Sequence, residues 1–132
     1  MRPFVIAAAF APLLLAGAAH AAAPASDAPP RAERCFSVED VQRYHGHGDQ
    51  TLILRTRTDR YYAVGFVGSC PNVLRPDANV VLSSRGASSL ICNANDLRAT
   101  ITASGFPQTC AVSSLKGLSP AEVAALPDKD RP

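Results

Sequence analysis

Four cysteines are the feature that most constrains how this chain of 132 residues can fold. They are Cys35, Cys70, Cys92 and Cys110, and all four follow an apolar N-terminal segment. An even number of cysteines in a small exported protein predicts two disulfides. Their wide spacings fit neither a Cys-x-x-Cys redox pair nor a zinc finger. We therefore expect a crosslinked domain of about 90 residues with one modest hydrophobic core.

The first 21 residues have the layout of a cleavable signal peptide. Arg2 gives a positive start, residues 4–15 are apolar, and Ala19-His20-Ala21 forms an A-x-A cleavage site. The sequence predicts cleavage after Ala21, a location in the periplasm or outside the cell, and no stable membrane insertion afterwards. The alternative is an uncleaved membrane anchor, because the apolar stretch nearly reaches the length of a spanning helix, about 20 residues.

The remaining chain is predicted to hold one domain between two polar segments. Residues 22–34 are rich in alanine, proline and charge, which is typical of a flexible linker. Residues 35–126 form the predicted domain, and residues 127–132 a polar tail. The net charge of the whole chain is only +2. Such a balance does not predict a nucleic-acid partner.

Alternating apolar and polar residues predict a β-rich domain. The runs with this character are residues 51–58, 61–67, 79–83, 89–92, 97–103 and 109–115. In the first run Leu52 and Leu54 share one face, while Ile53 and Arg55 share the other. In the second run the shared apolar face consists of Tyr62, Val64 and Phe66, and in the fifth it consists of Leu97, Ala99, Ile101 and Ala103. The first two runs are predicted to form a hairpin, and residues 104–108 to close a second one. The expected fold is mainly β, a small antiparallel barrel or sandwich with two short helices.

Two capping boxes predict those helices. Ser37-Val38-Glu39-Asp40 has the S-x-x-[DE] pattern and predicts a helix over residues 38–44. Near the C-terminus, Ser119 and Glu122 form a second box with proline at the first helical position. That box predicts a helix over residues 120–126, which ends before Pro127.

Sequence alone does not decide how the cysteines pair, since four cysteines allow three pairings. We favour Cys35–Cys70 with Cys92–Cys110. Cys92 ends one β-run and Cys110 begins another, while Pro71 could turn the chain back from Cys70 towards Cys35. The next choice is Cys35–Cys110 with Cys70–Cys92.

His45 and His47 are the candidate metal ligands, because two imidazoles two residues apart can reach one ion. Asp49 is a possible third ligand. The simpler interpretation is that both histidines are solvated in a turn. The loop of residues 83–89 could hold an anion through backbone amides and Arg85, or could be only a serine-rich connection between strands.

Arginines cluster around the first predicted hairpin. Arg55, Arg57 and Arg60, with Arg43, could form a basic patch for an acidic partner or a polysaccharide. Tyr61 or Tyr62 would lie beside it. The simpler interpretation is the solvated face of a strand.

The inventory of residues gives little support to catalysis. Both histidines lie in one loop, paired cysteines leave no thiolate, and the acidic residues are scattered. We expect a non-catalytic binding or interaction module of the cell envelope, with no cofactor. Its partner would be an envelope protein, a polymer or a small ligand. The alternatives are a metal-binding protein that uses His45 and His47, and a small periplasmic hydrolase.

The order of the motifs resembles a known family. The segments that carry the resemblance are Cys35-Phe36, residues 52–67, Cys70-Pro71, Ser88–Cys92, Cys110 and Leu118-Ser-Pro-Ala-Glu-Val123. Together they resemble a family of small exported bacterial proteins known only as a domain of unknown function. The resemblance implies export and a single domain, and it implies no activity. The segment from His45 to Gly48 lies outside that pattern, which argues against a shared role for the two histidines.

Overall fold

A computed structural model of the chain describes residues 35–132. The predicted signal peptide (residues 1–21) and linker (residues 22–34) lie outside the described residues. Among the described residues, no helix combines the length and the apolar character needed to cross a membrane.

Nearly half of the described residues lie in nine strands. They are β1 (Phe36–Ser37), β2 (Val41–Gly46), β3 (Thr51–Thr56), β4 (Tyr61–Phe66), β5 (Asn79–Ser84), β6 (Leu90–Ile91), β7 (Leu97–Ala103), β8 (Phe106–Cys110) and β9 (Val112–Leu118). One α-helix, α1 (Pro120–Ala125), follows them. Four 3-10 turns cover Val38–Asp40, Pro71–Leu74, Ala94–Asp96 and Asp128–Asp130.

The strands form three antiparallel sheets that pack like a sandwich. The largest has the order β2-β3-β4-β9, the second has the order β5-β7-β8, and β1 pairs with β6. The predicted mainly β fold is confirmed. Of the two predicted forms, the open sheets favour the sandwich, since the described strands do not close into a barrel.

Both predicted hairpins are present, although the loop of the second comprises only Ser104 and Gly105 and not the predicted residues 104–108. β3 pairs with β4, and the turn between them is fastened by the Thr56 N–H, which donates to the carbonyl of Arg60 at 2.9 Å. β7 pairs with β8 through Ser104 and Gly105, which have φ angles of 51° and 81°. Two positive φ values in a two-residue loop are the signature of a type I′ turn, whose twist matches that of the flanking strands.

The core lies between the sheets and comes from alternate positions of their strands. Its residues from the largest sheet are Leu52, Leu54, Tyr62, Val64 and Phe66. Those from the other sheets are Phe36, Ile91, Leu97, Ala99 and Ile101. The rings of Phe36 and Tyr62 are in contact, with their centroids 4.7 Å apart. This alternation confirms the predicted inward faces of β4 and β7.

The disulfides are Cys35–Cys92 and Cys70–Cys110, with Cα separations of 4.2 and 6.1 Å. The favoured pairing, Cys35–Cys70 with Cys92–Cys110, is therefore wrong, and the second choice is wrong as well. Two disulfides are nevertheless present, as predicted.

Strand pairing explains the first bridge. β1 pairs with β6 so that Phe36 lies opposite Ile91, which places the adjacent Cys35 and Cys92 side by side. For the second bridge, the 3-10 turn after Cys70 docks on the β7–β8 hairpin. There the Asn72 side chain donates to the carbonyl of Phe106 at 3.3 Å.

The predicted helix over residues 38–44 is wrong. Ser37 makes no side-chain capping bond, the 3-10 turn ends at Asp40, and the chain continues as β2. β2 pairs with β3, and the hydroxyl of Tyr44 on β2 accepts from the Val80 N–H of β5 at 3.1 Å. Tertiary pairing thus outweighs the local capping signal.

The second helix is confirmed as α1. The Ser119 hydroxyl accepts from the Glu122 N–H at 3.3 Å, and the Ser119 N–H donates to the Glu122 carboxylate at 2.9 Å. This is the predicted capping box. The helix ends at Ala125, one residue before the predicted end. The predicted polar tail is not a free end, because it contains a 3-10 turn in which Asp130 is buried.

Candidate functional site

The outer face of the largest sheet, which points away from the core, contains a buried apolar residue, Ile53. Register pairs His45 with Ile53, Ile53 with Ala63, and Ala63 with Lys116, so these four residues form one row across the sheet. The row lies opposite the core, because its residues alternate with Leu52 and its neighbours. Ile53 is nevertheless only 2% exposed. Another part of the chain must therefore cover this face.

The C-terminal strap, which we define as residues 119–132, contacts both edges of this outer face. Near its start Glu122 forms an ion pair with Lys116 of β9. Near its end Asp130 contacts His47 and His45, in and just after β2. Because β9 and β2 are the outer strands of the sheet, the strap has to cross β4 and β3 between these contacts. Its path therefore runs along the face of the sheet that carries Ile53.

Polar side-chain contacts hold both ends of the strap. The Lys116 side chain and the Ser119 N–H bind the Glu122 carboxylate and lower its pKa to about 2. At the other end, His47 Nδ1 lies 2.6 Å from Asp130 Oδ2, and His45 Nε2 lies 3.8 Å from Oδ1. The Asp130 side chain is 10% exposed, whereas the two imidazoles are 49% and 44% exposed. Both histidines thus contact a carboxylate that is largely buried.

The two histidines do not use the predicted third ligand. Asp49 accepts instead from the Ser69 hydroxyl at 2.6 Å. Gly46, between the histidines, is packed rather than mobile, since a Cβ there would lie 2.6 Å from the Val73 carbonyl oxygen. Across residues 35–132, no group of three or more His, Cys, Asp or Glu side chains has an arrangement that could hold a metal ion.

A histidine with a carboxylate at Nδ1 has the orientation of a general base. A nucleophilic catalyst also requires a hydroxyl or thiol beside that base. In the described part of the chain no hydroxyl contacts His47, and all four cysteines are in disulfides. The geometry therefore favours a structural role for the His47–Asp130 contact.

A second row of the outer face carries two arginines. Arg43 lies opposite Arg55, Arg55 opposite Tyr61, and Tyr61 opposite Leu118. Arg55 donates from Nη2 and Nε to Asp59 Oδ1, at 2.6 and 3.0 Å, and this bond raises its pKa. Arg43 forms no ion pair with any residue in 35–132. The charge of Arg43 is therefore not balanced within this row. Because like charges directly opposite each other are unfavourable, an anion bound beside Arg43 and Arg55 would be favoured.

This row leads into a cleft between the β3–β4 turn and α1. The cleft has a volume of about 390 Å³. Its lining comprises Asp59, Arg60, Tyr61, Leu118, Pro120, Val123, Ala124 and Arg131. The apolar residues come from β9 and the strap, while the two arginines come from opposite sides, one from the turn and one from the strap. The site is thus an apolar cleft with cations at its rim.

Hydrogen bonds fix the Arg131 side chain. Its Nη2 donates to the carbonyls of Leu126 and Ala124 at 2.9 and 3.1 Å, and it pairs with Asp128 at 3.1 Å. Its Nε also donates to Leu126, at 3.1 Å. On the opposite side, Arg60 Nε donates to the Thr58 hydroxyl at 3.1 Å. The cationic groups are therefore held in place rather than loose in solvent.

The structure supports part of the predicted basic patch. Arg43 and Arg55 are neighbours, and Arg60 lies at the adjoining cleft with Tyr61. Tyr62 is instead buried in the core, where its hydroxyl donates to the Cys35 carbonyl at 3.1 Å. The sequence analysis missed the strap side of the cleft, although the capping box at Ser119 marked its beginning. Arg57 is exposed and does not line the cleft.

The serine-rich loop of residues 83–89 lies elsewhere, after β5. Its polar groups bond within the loop: the Ser84 hydroxyl donates to the Ser88 carbonyl at 2.5 Å and accepts from the Gly86 N–H at 3.2 Å. These bonds account for the serines as turn residues. The loop is therefore a weaker candidate for an anion site than the cleft.

Comparisons with known proteins connect the chain to one family. No curated protein and no solved structure matches it. A family model described as a family of unknown function matches residues 1–131. The predicted resemblance to a family of unknown function is confirmed at that level, and the chain belongs to the family of unknown function DUF6491.

Proposed function

We propose that the chain is an exported, non-catalytic binding module of the bacterial envelope or its surroundings, and that the cleft beside α1 is its binding site. The observation that carries this proposal is the composition of the cleft. Apolar side chains such as Leu118 and Val123 share it with the fixed guanidinium of Arg131. A mostly apolar concavity with a few placed polar groups is the usual form of a ligand site.

The size of the cleft and the crosslinks support the same proposal. Small-molecule sites commonly have volumes of about 300–1,000 Å³, and this cleft, at about 390 Å³, falls at the lower end. Two disulfides are typical of small domains in oxidising compartments. They agree with the signal peptide predicted for residues 1–21.

Site-specific photo-crosslinking tests this proposal in the bacterial envelope. A photoreactive amino acid, p-benzoylphenylalanine, replaces Ala124, which is exposed on the strap wall of the cleft. The matched control carries it at Ala87, an exposed alanine of the serine-rich loop. We expect an adduct of defined mass at position 124, measured on the purified intact protein, and none at position 87. Equal labelling at both positions, or none at either, would contradict the proposal.

A further inference from the structure

We infer that the cleft binds a small amphipathic anion, an apolar chain or ring that ends in a carboxylate or phosphate. This inference rests on the proposed function and specifies the chemistry of its ligand. It follows from the apolar walls, from the balance of charge around the rim, and from the size of the cleft.

The apolar walls need an apolar ligand group. Leu118 ends β9, and Pro120, Val123 and Ala124 belong to the first turns of α1. Leu118 and Val123 are half-buried, so part of their surface remains in contact with water at the cleft. A ligand that covers this surface gains hydrophobic free energy, about 25 cal/mol for each Å² removed from water.

The charge at the rim favours an anion. Arg60 and Arg131 line the cleft together with Asp59. Asp59 is already bound to Arg55, and Arg131 pairs with Asp128. The neighbouring Arg43 has no ion pair within the described chain. Among these groups four arginines are present with two carboxylates, so positive charge is in excess.

Arg131 is suited to receive the anionic group. Its Nε and Nη2 hold the carbonyls of Ala124 and Leu126, which fixes the plane of the guanidinium. Its Nη1 has no partner among residues 35–132, which leaves two N–H donors. A guanidinium already held in place loses little side-chain entropy when it binds a carboxylate or phosphate.

The dimensions favour a small ligand over an acidic macromolecule. A cleft of about 390 Å³ holds one chain or ring and not an extended polymer. The net charge of the whole chain is only +2, too small for strong non-specific attraction to polyanions. The positive charge is therefore a local property of this site.

Titrations followed by NMR test the inference. The probes are octanoate, octyl phosphate, octyltrimethylammonium and acetate, each added to the oxidised, ¹⁵N-labelled protein without its predicted signal peptide. We expect octanoate and octyl phosphate to shift the amides of Tyr61, Leu118 and Val123 in a saturable way. Octyltrimethylammonium has the same chain and the opposite charge, and should bind at least about tenfold more weakly. Acetate lacks the chain and should produce no saturable shift.

Three variants separate charge from apolar contact. Arg131→Gln should weaken octanoate binding about tenfold, whereas Arg98→Gln, an exposed arginine on the second sheet, should leave it unchanged. Val123→Thr keeps the shape of the side chain and should weaken the binding of every octyl probe. The amide spectrum of each variant, before any probe is added, shows whether it is folded.

The outcomes distinguish this inference from the proposed function. If octyltrimethylammonium binds as tightly as octanoate, or if Arg131→Gln changes nothing, the preference for an anion is refuted while a binding cleft remains. If no octyl probe shifts the cleft amides, the amphipathic ligand is refuted. The proposed function is then lost only when the photo-crosslink at position 124 is absent as well.

Discussion

Replacing Ile53 by alanine tests whether the C-terminal strap covers the outer face of the largest sheet. Its neighbours in the row are Ala63 and His45, and its side chain is 2% exposed. Replacing a buried isoleucine by alanine lowers the free energy of unfolding by about 2–5 kcal/mol, a value that includes the effect of the cavity left behind. Ile53 lies on the outer face of the sheet and not in the core between the sheets, so we expect a value near the lower limit, about 2–3 kcal/mol.

The assay is urea denaturation of the oxidised protein, in which both disulfides stay intact and the denatured state is comparable between variants. Val81→Ala is the matched control. Val81 is also a β-branched residue on an outward face, in β5, but it is 54% exposed. Its replacement should cost less than about 0.5 kcal/mol. If both replacements lowered the free energy of unfolding by the same amount, Ile53 would be no better covered than Val81.

A double-mutant cycle then identifies the strap as the cover. Deleting residues 127–132 removes Asp130 and with it the contacts to His45 and His47. If these residues hold the strap over Ile53, the cost of Ile53→Ala should fall in the truncated protein by at least about 1 kcal/mol. Additive effects would refute the coupling between the strap and Ile53.

Three further predictions concern the capping box, an ion pair and the disulfides. Ser119→Ala should lower the free energy of unfolding by about 1 kcal/mol, in the usual range for the loss of an N-cap, and an unchanged urea midpoint would show that packing alone holds α1. The pKa of Glu122 is lowered to about 2 in the folded state, so its contribution is present above the ordinary pKa of a glutamate and is lost as the pH falls towards 2. Lys116→Gln should therefore reduce the loss of stability between pH 5 and pH 2.5, roughly the range in which the carboxylate titrates; an unchanged pH profile would contradict this reasoning. Peptide mapping without reduction should yield a fragment that joins Cys35 to Cys92, and a fragment joining either of them to another cysteine would refute the fold around β1 and β6.

Local pattern was sufficient for the parts of the fold that depend on neighbours in sequence. Alternation identified β4 and β7 with their buried faces, because the period of two is a property of the strand itself. The capping box at Ser119 predicted α1 because its hydrogen bonds join Ser119 to Glu122, three residues further along the chain. Residues 109–115 were read as one strand, whereas the chain leaves the second sheet at Cys110 and joins the first at Val112. A change of sheet between two adjacent strands leaves no signal in the alternation.

The remaining features depend on contacts between distant segments. The box at Ser37 is as good a capping sequence as the one at Ser119, yet β3 offers the following residues a partner and they form β2. Neither correct disulfide could be chosen without the pairing of β1 with β6 and the docking of the turn after Cys70. In the site, sequence analysis found Arg60 and Tyr61, which lie side by side in the chain. It missed Arg131, since its place opposite them results from the path of the strap.

The two disulfides crosslink only part of the described chain. Their loops, residues 35–92 and 70–110, overlap, so the chain from Cys35 to Cys110 is one covalently closed unit. Residues 111–132 lie outside it and are held by the pairing of β9 with β4 and by the side-chain contacts of the strap. Opening of this last segment is therefore opposed by no crosslink, and such segments exchange with local unfolded states most readily. One wall of the cleft belongs to this segment and the other to the closed unit. A ligand that bridges Arg60 and Arg131 would thus join the C-terminal segment, which carries no crosslink, to the crosslinked part of the chain, as a third disulfide would, but reversibly.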